Sequence, residues 1–443
     1  MSGPSFRSFV LCSLCTAVLL GSGTPAALAQ EEIFVTNAFS NAVTVYRRTA
    51  TGNTAPKRNL VGAATGLNSP SGVVVDEVNN ELIVANQAFS FSITVYPRLA
   101  TGNTAPLRTI TGAATTLNNP RGVAVDTVNN EIIVANRAGN SITVYSRTAT
   151  GDAAPLRTIS GAGTGLGNPW VVVDVTNNEI LVANNGASLT VYARLATGNA
   201  TPLRKIFGAN TTFNNGPIGI SLDTTNNELA VTNPFNASFQ PTVLIFGRTA
   251  DGNAAPPRAI AGAATALASP NAVVIDSLNN ELLVPNSGIN SVTVYGRTQT
   301  GNVAPSRTLS GAATMLNSPQ GLATDIAKLD NDGSGEVSPL TDALLLLRYV
   351  FGFRGPSLVT GAVDFGSCSR CDATAVEAYI AGLGLTLDMD GDGFVEALTD
   401  GLLVLRYVFG FRGPTLITGA YDTIDCSRCD APAIEAHIGS LNL

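Results

Sequence analysis

Two stretches near the C-terminus carry the residues best suited to chemistry: DNDGSGEVSPLTD at 330–342 and DMDGDGFVEALTD at 388–400. Each opens with oxygen-bearing side chains at its first, third and fifth positions, and a glycine stands sixth. That alternation lets a loop wrap a hard cation such as calcium, and the glycine permits the sharp turn. Each loop runs straight into an apolar segment, DALLLLRYVFGF or DGLLVLRYVFGF, which reads as a helix.

Upstream, the polar residues recur too regularly to mark one active site. The motif D-x-x-N-N-E, as in Asp126, Asn129, Asn130 and Glu131, returns in five repeats. Asn-Asn between two strands is turn chemistry, tolerant of positive φ. An arginine follows the third strand of every repeat: Arg48, Arg98, Arg147, Arg194, Arg248 and Arg297. Pairing with loop carbonyls or neighbouring acids accounts for them, with an anion-binding ring as the alternative. Departures from the repeat are more informative. The stretches QAFSF at 87–91, NGAS at 185–188 and PFNASFQ at 234–240 vary where the repeats otherwise agree. Phe39, Phe89, Phe91, Phe235 and Phe239 fall on such loops, and Trp170, the only tryptophan, replaces a polar residue where a strand begins. Exposed there, they would suit a sugar, peptide or protein ligand; filling gaps between loops is the alternative reading.

The elements that must position these residues come from a repeat of about fifty residues. The asparagines closing IFVTN, LIVAN, IIVAN, ILVAN, LAVTN and LLVPN are Asn37, Asn86, Asn136, Asn184, Asn233 and Asn286. A second element ends six times in aspartate, from Asp76 to Asp325. One repeat holds four strand candidates: GVVVD at 72–76, ELIVAN at 81–86, SITVY at 92–96 and LRTIT at 107–111. The first two are apolar on both faces, as strands between packed sheets must be, and the fourth reads as an exposed edge. Four-stranded units at this period are propeller blades. The N-terminus lacks a first strand, and QGLATD at 320–325 supplies it from the far end. The expected fold is therefore mainly β, a six-bladed propeller closed three strands plus one, with a small helical calcium-binding region after it. The repeat resembles the NHL-type propeller family over residues 33–325. The resemblance implies an architecture, since this fold carries enzymes and binding proteins alike.

The tail is a duplication of 58 residues, with Asp330 mapping to Asp388, Arg348 to Arg406 and Cys368 to Cys426. Each copy is similar to a dockerin module of the EF-hand loop–helix type. The likeness implies ligands Asp330, Asp332, Ser334 and Asp342 in the first copy. In the second it implies Asp388, Asp390, Asp392 and Asp400. The peptide carbonyls of Glu336 and Phe394 would join them, giving two Ca2+ sites. The closing aspartate stands thirteenth instead of twelfth, and Ser334 in place of an acid predicts a weaker first site. A strict dockerin would also imply a cohesin-like partner.

The expected boundaries are a signal peptide at 1–29, the propeller at 30–325 and two modules at 326–385 and 386–443. Arg7, the apolar run Phe9–Leu20 and Ala27-Leu28-Ala29 fit a cleaved secretory signal, so the protein is expected to be secreted or periplasmic. No apolar run is long enough to span a membrane. The acidity is concentrated from residue 328 onward, with 16 acidic against 7 basic residues. No basic surface suits nucleic acid. Cys368 and Cys371, and Cys426 and Cys429, form two C-S-R-C pairs for which an exported chain favours local disulfides; a zinc half-site or free thiols are the alternatives. The one histidine is His437, outside the repeats, and G-x-S-x-G and HExxH are absent. These observations favour a binding platform with calcium-dependent docking over an enzyme. The rival is a lyase or lactonase holding a metal in the central channel through carboxylates such as Asp223 and Asp276.

Overall fold

Every repeat folds as expected from its β-branched strands and Asn- and Gly-rich turns. The computed structural model describes residues 31–88, 90–213, 216–234, 240–325, 328–334, 336–366, 368–439 and 441. The proposed signal lies outside them, as do Phe89, Phe235 and Phe239. Among the described residues twenty-four strands form six four-stranded sheets, and the sheet holding Glu32–Asn37 takes Pro319–Asp325 as its innermost strand. Glu32 opposes Asp325, Ile33 opposes Thr324 and Val35 opposes Leu322, so the ring closes through the two ends of the repeat array.

The repeated polar residues join blades. Asp126 accepts from the backbone N–H of Asn129 at 3.0 Å and from its amide at 2.9 Å, while Asn130 takes a left-handed φ of 53°. The same turn recurs at Asp76, Asp174, Asp223 and Asp276. The arginine after each third strand reaches back to the preceding blade: Arg147 to Glu81 at 3.1 Å, Arg248 to Glu179 at 3.1 Å, Arg297 to Glu228 at 2.8 Å. These guanidinium groups are neutralised by carboxylates, which removes the anion-ring reading.

The fourth strand is not the free edge expected of it. A Gly in each T-G-N, T-G-D or D-G-N loop forms a single parallel bridge with the outer strand of the preceding blade, as Gly102 does with Leu60. Gly52 does the same with Leu309, so this outer seam also runs round the whole ring.

The helical region has α1 (Asp342–Val350), α2 (Pro356–Val359), α3 (Ala373–Leu383), α4 (Leu402–Val408), α5 (Pro414–Ile417) and α6 (Ala431–Gly439). Its two copies share one core in which Leu346, Ile380, Leu403 and Ile434 are fully or almost fully buried. Leu278 of the propeller packs against this core. None of the helices among the described residues is long and apolar enough to cross a membrane.

Candidate functional site

Asp330, Asp332 and Asp342 are all buried, and each offers a carboxylate oxygen within 4.8 Å of the others. Asp342, the first residue of α1, organises the loop. One of its oxygens accepts from the N–H groups of Asn331 at 2.6 Å and Asp332 at 3.2 Å, the other from that of Ser338 at 2.8 Å. The Ser334 N–H donates to Asp330 and Asp332, both at 3.0 Å, and its hydroxyl donates to the Glu336 carbonyl at 3.1 Å. Burial, then the charge of Asp332, pushes Asp342 up to about 7. Burial, Glu31 and Asp342 raise Asp330 well above the usual carboxylate range. Three carboxylates crowded out of water are costly unless a cation joins them.

In the second loop the close trio is a different one, Asp388, Asp390 and Asp392. Asp400 is not part of it. Its carboxylate accepts from the N–H of Met389 on one oxygen and from that of Glu396, at 2.7 Å, on the other. Burial is the main cause that pushes Asp400 up to about 6. Asp390 Oδ1 is buried with no hydrogen-bond partner among the described residues, which fits an oxygen meant for an ion. The Phe394 side chain is exposed, and its N–H donates to Asp392 at 2.7 Å.

The C-S-R-C motif proves to be a clamp on each loop, which the sequence reading missed. Cys368 pairs with Cys371 and Cys426 with Cys429 at disulfide distance. Between them, Arg370 donates to the carbonyls of Asn331, at 3.1 Å, and Asp330, while Ser369 donates to Gly333 at 3.0 Å. Arg428 and Ser427 repeat this on Met389, Asp388 and Gly391. The signal was the recurrence of Ser-Arg in both copies at the loop's own spacing.

Arg370 does one thing that Arg428 does not. Its Nη1 donates to Asn279 Oδ1 of a D-x-x-N-N-E turn at 2.6 Å, while its guanidinium stacks 3.7 Å from the Tyr379 ring. Arg48, 2% exposed, pairs with Glu31 and Glu281 and donates to Ser369 at 3.2 Å. Arg47 pairs with Glu336. The first loop is therefore fastened to the propeller face that carries the D-x-x-N-N-E turns. The variable loops lie on the opposite face.

On that opposite face only part of the aromatic set stands as expected. Phe39 is 80% exposed. Phe91 is half-buried and packs between two blades, so it fills a gap. Trp170 is also a correction: it is 7% exposed and lines the central channel, with Arg121 over its ring at 5.6 Å. The channel cavity, about 300 Å³, is walled by aliphatic side chains such as Val74, Val172, Ile220 and Leu322, with Ser221 and Thr324 as its polar members. Asp223 and Asp276 are not among its lining residues, because their oxygens are used by the turns. No carboxylate cluster lies in the channel among the described residues.

The family described as "Lactonase, 7-bladed beta-propeller" matches residues 28–173. Six sheets close this ring, not seven. No curated protein matches the chain. Among solved structures, a crystal structure of a nidogen/laminin complex is similar, with 14% identity over 67% of this chain and 98% of that one, and a TM-score of 0.49.

Proposed function

We propose that this is an exported calcium-binding protein in which the calcium loops lock the helical region onto one propeller face. The other face is then left as a platform for a protein or glycan ligand. The observation that carries the calcium reading is the buried trio Asp330, Asp332 and Asp342, three acids within reach of one ion. Two Ca2+ are expected, held by the loop residues named above, and the Ser-Arg clamps keep each loop's backbone in place for them. An exported location agrees with the two cysteine pairs at disulfide distance.

Calorimetry of the full chain with calcium should read two sites, and calcium should raise its melting temperature by several degrees. Asp388→Ala should weaken binding more than Asp330→Ala, because the first loop has one acid fewer. An identical response of both variants and wild type to a chelator would refute the assignment.

A docking role for the helical region is favoured by apolar side chains exposed in both copies. Leu340 and Leu398 are 68% and 66% exposed, and the pairs Phe351 with Phe409 and Phe353 with Phe411 are exposed as well. A cohesin-like module is the partner this surface would be tested against. The lactonase match keeps hydrolysis as the rival, opposed by the aliphatic channel. Lactone hydrolysis that survives dialysis and depends on a channel residue would reverse the choice.

A further inference from the structure

The residue after the proline that opens an innermost strand differs from blade to blade, which makes this ring unlike the repeated ones. It is Ser71 after Pro70, Arg121 after Pro120 and Trp170 after Pro169. Arg121 is 6% exposed, and among the described residues it has no carboxylate partner and donates no hydrogen bond. Every other buried propeller arginine, such as Arg48 or Arg98, is paired with an acid. A guanidinium this deeply buried without a counter-ion is costly and implies a ligand that supplies one. Burial, and then the positive charge of Arg137 between the second and third strands of the same blade, pulls Arg121 down to about 9.

The geometry sets this charge beside the channel, over the Trp170 ring. The strand register shifts between Pro120 and Gly122, a bulge that turns Arg121 out of the ladder. A Cβ added at Gly122 would meet the Trp170 ring at 3.2 Å, so glycine lets the two strands close up there. Arg121 lies over Trp170, and Trp170 lines the aliphatic cavity of about 300 Å³. Ser71, at the matching position of the adjoining blade, has a buried Oγ with no partner among the described residues.

We propose that the channel mouth binds an aliphatic monocarboxylate, its carboxylate on Arg121 and its hydrocarbon tail in the channel. A carboxylate takes two parallel guanidinium hydrogen bonds, with Ser71 as a further donor. The tail exchanges water for Val, Ile and Leu side chains. This deepens the platform reading and rests on it, since the site opens on the face that reading leaves free.

The test uses the full chain with octanoate, octanol and inorganic phosphate, read by calorimetry and by fluorescence of Trp170, the only tryptophan. Octanoate should bind one per chain and alter that fluorescence. Octanol and phosphate should each bind at least tenfold more weakly. Arg121→Gln should lose at least tenfold for octanoate, and Arg121→Lys should retain part of it. Should Arg121→Gln not fold, Val172→Phe, which fills the cavity beneath, should abolish octanoate binding while leaving the melting transition in place. Octanol or phosphate binding as tightly as octanoate, an unaffected Arg121→Gln, or no octanoate binding each overturns the proposal. A protein or glycan ligand that binds while octanoate does not leaves the platform standing while this site falls. Octanoate bound in the absence of any such ligand does the reverse.

Discussion

Single residues show where the repeat is broken, and Asp325 is the plainest case. The aspartates from Asp76 to Asp276 end their strands in a turn whose asparagine caps the carboxylate. Asp325 ends the closing strand and is not followed by the N-N-E sequence of those turns; the first acidic loop begins at Asp330. Its partner is Arg98 of the next blade, and its Oδ1 is buried with no hydrogen bond among the described residues. Burial outweighs the arginine and pushes Asp325 up to about 6. The folded chain then holds this proton more tightly than the unfolded chain, whose aspartate titrates near 3.9. Stability from this group is greatest below about pH 4 and is lost as pH rises to about 6, by an amount on the order of 2–3 kcal/mol. Unfolding of wild type and Asp325→Asn, followed by Trp170 fluorescence, should show wild type losing ground to the variant across that window. A difference that stays flat with pH would contradict the argument.

Elements show what one chain of letters conveys and what it does not. The blades are legible because β-branched runs and Asn- or Gly-rich turns recur at a fixed period, so each local signal is read six times. The two acidic loops are legible as loops that lead into helices, and the closeness of their carboxylates follows from local spacing. The outer seam is not, because Leu60 meets Gly102 only once the ring has formed, and LRTIT looks the same whether or not another loop covers it. Trp170 is misplaced for a related reason. A strand start looks exposed until the width of the lumen is known. The seam makes a quantitative claim. Asn103 Oδ1 accepts from the Ala64 N–H at 2.8 Å, and Asn53, Asp152, Asn199, Asn253 and Asn302 do the same for the other blades. Asn103→Ala should cost about 0.5–1 kcal/mol, as a hydrogen bond near the surface does. All six changed to alanine should cost about 3–6 kcal/mol, since the sites are far apart and nearly additive. Denaturant midpoints measure both. A sixfold variant unfolding where the single one does would mean that the bridges, not these side chains, hold the seam.

For the whole molecule, the issue is which part depends on the other. The propeller face beneath the helices is polar: Arg48, Glu281, Asn279 and Asn280, with Leu278 as an apolar contact. Water can replace the helical region there at modest cost, because the ion pairs of Arg48 with Glu31 and Glu281 lie within the propeller itself. The closing strand has no such substitute. Leu322 and Ala323, 5% and 8% exposed, belong to the cores on either side of the first blade, together with Ile33, Phe34, Val43 and Val292. Losing that strand uncovers these side chains and leaves the inner edge of Glu32–Asn37 unpaired, while the outer bridge of Gly52 to Leu309 holds only the rim. Burying two or three aliphatic side chains is worth about 1.5–3 kcal/mol each, and the lost backbone ladder adds to that, against a total stability of about 5–15 kcal/mol. A chain ending at residue 327 should therefore melt cooperatively, with Trp170 still shielded from quenchers, whereas one ending at residue 318 should not. Cooperative melting of both would mean that the ring is held by its outer seam, and collapse of both would make the helical region a structural part of the propeller instead of a module carried on its face.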